Sequence, residues 1–188
     1  TKYGGYMTVS YAKDFYEIPE SLKNNSSLKR KALDLVQSEP IAGKVTAGGS
    51  RLDDFREILI DFFDLHIDLN TAIAETETKL SRQQSMFSGD NRVFASGWAE
   101  RLVRTQVSRF YNQAVLESII ESGSDDCFVE HSSNEQASSK CSQQLAGATH
   151  SAQVMLDRLK SSYGGGEWGR ELKLPDHPHC THTFSPVN

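Results

Sequence analysis

Cysteine is scarce in this chain of 188 residues: there are three, Cys127, Cys141 and Cys180, odd in number and far apart. A disulfide framework in a secreted domain is denser and even-numbered. The thiols therefore read as reduced groups of a chain made in a reducing cytoplasm, with metal ligation as the other option. Long apolar runs are missing as well. Nothing approaches the roughly 20 apolar residues of a membrane helix, and Thr1 to Tyr11 holds no apolar run of signal-peptide length. No membrane partner is expected. Hydrophobic residues are only 37% of the total, below the share usual for a globular domain. One modest core is expected, with segments that order on a partner. Excess basic charge is absent too: the formal net charge is -5, which argues against a generic nucleic-acid binder but leaves room for a local basic strip.

The usual catalytic signatures are also absent. There is no Walker A loop, no G-x-S-x-G and no H-E-x-x-H. The run Gly164 to Gly166 has no phosphate-loop lysine after it. No aspartate or glutamate stands at a recognisable spacing to hold hydrated magnesium. A Cys–His pair such as Cys141 with His177 is formally possible, but three cysteines and six histidines always permit one. The expectation is a protein that is not an enzyme.

What is present is mostly helical pattern. Thr1 to Glu20 is rich in tyrosine and glycine without helical period, and reads as an arm: a loose terminus, or a tail that orders on a neighbouring subunit. A short helix follows, capped by Ser26 or Ser27, with Leu28, Ala32, Leu35 and Val36 on one face. Lys29, Arg30 and Lys31 on its first turn form a solvated face or a contact for DNA or an acidic partner. Pro40 ends it, and Gly43, Gly48 and Gly49 mark a loop. Ser50 to about Met86 reads as one long helix with a wide apolar stripe, including Phe55, Leu59, Phe62 and Phe63. His66 within it reads as a core or boundary histidine. A second long helix runs from about Arg92 to Glu121 and stops at Gly123. The short polar link between the two predicts an antiparallel pair. Cys127 to His131 reads as a strand, Ser132 to Lys140 as a loop, and Ser151 to Ser162 as a helix with Val154, Met155 and Leu159 inward. The tail after Leu172 carries one further strand near Thr181 to Phe184. The fold class is therefore α+β and mainly helical. Its parts are an arm and short helix (1–49), a helical pair (50–123) and a small α+β region rich in cysteine and histidine (124–188).

Three patterns carry a resemblance, covering about Arg104 to Asn188. The first is Arg104-Thr105-Gln106-Val107-Ser108-Arg109-Phe110-Tyr111-Asn112-Gln113-Ala114. The second is Ser124 to Val129 followed by Cys141-Ser142-Gln143-Gln144-Leu145-Ala146-Gly147. The third is Pro175-Asp176-His177-Pro178-His179-Cys180-Thr181-His182. Together they resemble the phage Mu F-like head morphogenesis family, whose helix reads approximately R-T-E-x-x-R-x-Y-N-x-A and whose ending reads P-x-H-P-x-C-R-C. Gln106 stands for the family's glutamate, Ser138 lies near where a C-x-x-C cysteine would be, and His182 replaces the second cysteine of the ending. The stretch Ala148 to Lys173 is longer and more helical than the family's link.

The resemblance implies a structural minor capsid protein of a tailed bacteriophage. Such a protein is made in the host bacterial cytoplasm and resides in the virion head. Its implied partners are the portal protein, the major capsid protein, or packaged DNA, and its implied role is head assembly or genome delivery. The other readings are a zinc-stapled nucleic-acid-processing enzyme or toxin carrying a phage-head-like module, and a plain scaffold in another assembly.

The residues themselves offer a metal site. His177, His179, Cys180 and His182 set four soft or borderline donors within six residues, and an extended segment puts Cys180 and His182 on one face. Zinc takes four such ligands in a tetrahedron. Cys141, His177, Cys180 and His182 are the expected set if a metal binds. Without one, they are a reduced thiol and surface histidines. Arg104, Arg109, Tyr111 and Asn112 read as architecture, with Arg104 or Arg109 as phosphate contacts in the alternative.

Overall fold

The computed structural model describes residues 9–163 and 171–188. Seven α-helices surround or flank one another, and a three-stranded antiparallel sheet of order β2-β1-β3 closes one end. The helices are α1 (Ile18–Asn24), α2 (Ser26–Ser38), α3 (Arg51–Phe63), α4 (Leu69–Lys79), α5 (Trp98–Glu121), α6 (Lys140–Gln144) and α7 (Ala152–Tyr163). The strands are β1 (Asp126–Val129), β2 (Ala148–Ser151) and β3 (Phe184–Pro186). This is the α+β, mainly helical fold that the periodicity predicts.

The helix α5 is the axis of the molecule. It packs against α2, α4 and α7, and its C-terminal half also meets β1 and β3. Fifteen of its residues are buried, so it is apolar or buried nearly all round. A helix in that position must be covered on several sides. Its end is set by Gly123, at φ +85, with Ser124 N–H donating to Ile119 O and Gly123 N–H to Ile120 O. Both bonds satisfy carbonyls the helix leaves open, and a side chain at that φ would be strained. One buried apolar cluster runs from Ala12 to Phe184 and takes in every helix face that points inward.

The structure departs from the sequence reading in four places. The long helix expected over Ser50 to Met86 is broken. The helix α3 stops at Phe63, Leu65 takes φ +65, and Asp68 caps α4 by accepting from Thr71 N–H at 2.8 Å. A capping aspartate inside an apolar stripe starts a new helix where the stripe alone suggests continuity. His66 sits in this break with two thirds of its side chain exposed, not in the core. The helix expected from Arg92 begins only at Trp98, because Gly97 at φ +79 interrupts it, although Phe94 is still buried.

The arm is the third departure. Residues 1–8, with Tyr3 and Tyr6, lie outside the described residues, but 9–20 do not reach outward. Ala12, Phe15 and Ile18 are buried, and a 3-10 turn (Phe15–Glu17) leads into α1. Asp14 caps that turn through Tyr16 N–H, and Pro19 at the helix start supplies a pre-set φ. The fourth departure concerns details of the other elements. Asn25, not Ser26 or Ser27, caps α2 by accepting from Leu28 N–H. Val154 is 44% exposed while Leu156 takes the inward place. The strands are β1 over Asp126–Val129 and β3 over Phe184–Pro186, each displaced from its expected span, and β2 and α6 were not expected. Gly164 to Gly166 lie outside the described residues.

Of the basic run on α2, Lys29 pairs with Asp64 at 3.5 Å and Lys31 with Glu121. Among the described residues, no helix is long and apolar enough to cross a membrane.

Candidate metal centre

The strand β1 is the middle strand of the sheet. Cys127 pairs with His150 on one side and Pro186 on the other. After β1 the chain makes the polar loop over 130–139, then α6, and returns as β2. Gly147 closes this return at φ +73, with its N–H donating to Val129 O at 2.6 Å. A Cβ there would collide with the His131 ring, so the Leu-x-Gly turn needs its glycine. This loop and the tail over 171–188 come together against the N-terminal end of the molecule. Phe15 N–H donates to Thr181 O at 2.7 Å, and Thr183 Oγ1 donates to Ala12 O at 2.8 Å.

Where loop and tail meet, four donors gather: Glu135, Cys141, His177 and Cys180, with ligand atoms all within 4.8 Å of one another. Cys141 lies on the first turn of α6, which Ser139 caps through Ser142 N–H. His177 and Cys180 belong to one tight turn, Cys180 N–H donating to His177 O at 3.0 Å. The Cys141 and Cys180 sulfurs are 3.8 Å apart, and Cys141 Sγ is 3.8 Å from His177 Nε2. His182 arrives from the start of β3 with its Nδ1 2.6 Å from Glu135 Oε2. That approach lacks hydrogen-bond geometry, and neither of its ring nitrogens has a hydrogen-bond partner although the residue is 1% exposed. The groups that face this ring are the Cys141 thiol and the Glu135 carboxylate. These donors can hold a metal ion.

All four residues expected from the sequence thus converge, and a fifth, Glu135, joins them. Nothing in the pattern of cysteine and histidine pointed to it. A carboxylate in a polar loop is ordinary, and only the fold reveals that its side chain is 5% exposed. His179 faces solvent and takes no part. Cys127 is buried elsewhere, donating to His150 O at 3.4 Å, and burial pushes its thiol up to about 12. The electrostatics of the centre are those of a shared proton. The Cys180 thiol faces Cys141 and pulls the Cys141 pKa well down, while the same contact, with burial, pushes Cys180 up. At His182 burial disfavours the charged form, but Cys141 and Glu135 outweigh it and raise the pKa. Burial and the Cys141 charge raise Asp176 nearby.

The helix motif lies one layer below. Tyr111, fully buried, accepts from Ala12 N–H at 2.8 Å and meets Ser21 Oγ at 2.8 Å. Asn112 Oδ1 accepts Phe184 N–H at 2.9 Å, while its Nδ2 donates to Ser108 O. Arg109 is 1% exposed, donates to Pro40 O at 2.8 Å, and lies with its guanidinium 4.3 Å from the Tyr163 ring centre. Arg104 stacks on Phe15 at 4.7 Å and donates to Tyr16 Oη. Thr105 is half-buried and Pro178 exposed beside His177. These side chains join the segment around Ala12 to Tyr16 and the segment at Phe184 to α5; both arginines make internal contacts, with the Nε of each buried and unpaired.

Compared with family models, curated proteins and solved structures, the chain matches none.

Proposed function

We propose that this chain is a minor head protein of a tailed bacteriophage, whose C-terminal module is stapled by zinc. The reading starts from the resemblance of Arg104 to Asn188 to the Mu F-like family. One observation supports it most. Asn112 of the helix motif accepts the backbone N–H of Phe184, two residues past His182, so the helix motif is tied to the segment that directly follows the ending.

Zinc fits the donors in kind, and the two sulfurs in spacing. Two thiolates on a tetrahedral zinc, with Zn–S of about 2.3 Å, stand roughly 3.8 Å apart. Cys141 and Cys180 have that separation. The role is structural: Cys141, Cys180 and Glu135 are buried, and His177 alone has a sizeable exposed part, 37% of its side chain. A catalytic zinc keeps a position open to water and substrate. The depressions beside α1 and beside β2 contain none of these donors. Portal and major capsid proteins are the partners this role requires, and exposed apolar side chains such as Met86 and Val187 are available for such contacts.

The test is quantitative mass spectrometry of separated heads and tails from purified virions of the phage encoding the chain. A small, fixed copy number in heads, alongside portal protein, is expected. Absence from both fractions would overturn the role.

A further inference from the structure

We infer that Glu135 is the fourth zinc ligand, bound through Oε1, and that His182 remains outside the shell on Oε2. This rests on the zinc reading above and changes its ligand set, since the residue pattern alone put His182 on the metal.

The two oxygens of Glu135 are already divided between two tasks. Oε1 faces the other donors, 3.1 Å from Cys141 Sγ and 2.5 Å from His177 Nε2. Oε2 faces away, accepting from Thr181 N–H at 3.1 Å and Thr181 Oγ1 at 3.2 Å, with His182 Nδ1 2.6 Å off. A carboxylate bound through one oxygen and held by its outer oxygen is a common way to fix a ligand. His182 meets the carboxylate on that outer side and also faces the Cys141 thiol. The mutual distances within 4.8 Å embrace Glu135, Cys141, His177 and Cys180. A tetrahedral shell sets its ligand atoms roughly 3.3–3.8 Å apart, so Oε1 must open from His177 Nε2 and Cys141 Sγ by under an ångström while the longer separations, up to 4.8 Å, close.

The loop that delivers Glu135 is held in advance. Ser132 Oγ meets Thr181 Oγ1 at 2.8 Å, and Asn134 Nδ2 donates to Asp14 Oδ2 at 2.7 Å. Two residues just ahead of the carboxylate are thereby tied to the tail and to the N-terminal segment. A ligand placed by backbone and side-chain ties loses little freedom on binding metal. Glu135 also explains how a chain with histidine in place of the ending's second cysteine completes four anchors.

The experiment counts metal-bound imidazoles in the zinc-loaded full chain labelled with 15N-histidine, by long-range 1H–15N correlation. One metallated ring is expected, His177 through Nε2, with His182 metal-free. Two metallated rings would overturn the assignment and leave the zinc reading intact. A chain that takes up no zinc overturns both. Chelator competition gives a second measurement. E135Q should weaken zinc by more than about 100-fold, and H182Q by the 10–100-fold of an outer partner. The reverse order overturns the inference, and the imidazole count needs no variant to fold.

Discussion

Around α3 and α5 the protein is held by apolar area: Phe55, Ile58, Leu59, Phe63, Val107 and Phe110 are all fully buried. Around β1 and the tail the buried residues are of another kind, with Glu135, Cys141, Cys180, Thr181, His182 and Thr183 packed beside a few apolar side chains. The strands there have three or four residues each. Sheets that small are not stable alone. The helical part can stand on burial, whereas the C-terminal part relies on polar ties and, on the proposed reading, on a zinc ion to hold its donors. The two are nonetheless welded, through Asn112 to Phe184 and Tyr111 to Ala12.

Removing the metal should separate the two parts most sharply. With zinc at a thousand times its dissociation constant, binding contributes about 4 kcal/mol. A strong chelator should cost that amount, and hydrogen exchange should rise first over 126–151 and 171–186, with α3 and α5 still protected. Uniform loss of protection would contradict the division. The converse variant is Phe55→Ala, which empties the helical core. It should cost about 3–5 kcal/mol in denaturant melts while the zinc content of the folded protein stays unchanged. Loss of zinc in folded F55A would show that the staple depends on the helical core.

Alkali probes the shared seam. Burial pushes Tyr111 and Tyr163 up to about 12, against about 10 unfolded. Between those values the unfolded chain has released a proton that the native one keeps. Stability is therefore full below pH 10 and falls as pH rises toward 12, by up to about 2–3 kcal/mol per tyrosine. Tyr111→Phe should make that fall shallower, as read from melts across the range. The smallest effect is at Asn112→Ala. It leaves Phe184 N–H buried without its acceptor and should cost about 1–2 kcal/mol, with faster exchange at β3. An unchanged melt would mean that α5 and the tail are joined by packing alone.

Much of this was legible in the residues. The stripe from Phe55 to Phe63, the stop at Gly123 and the helix after Ser151 follow from local spacing and from glycine's access to positive φ. The break at Leu65 to Asp68 was masked because apolar residues on both sides keep the same period, while Asp68's capping bond is visible only once Thr71 is placed. The arm was misread because Ala12, Phe15 and Ile18 gain their burial from Tyr111 and the tail, far away in sequence.

The sequence by itself determined the helical class, the buried motif on α5 and the cysteine and histidine donors near the end, because each is a matter of neighbours along the chain. The tertiary structure alone decided that Glu135 belongs with them and that His179 does not. A carboxylate has no spacing that marks it as a ligand. Its environment is made by Thr181 and His182, some 46 and 47 positions away, and only folding brings them together.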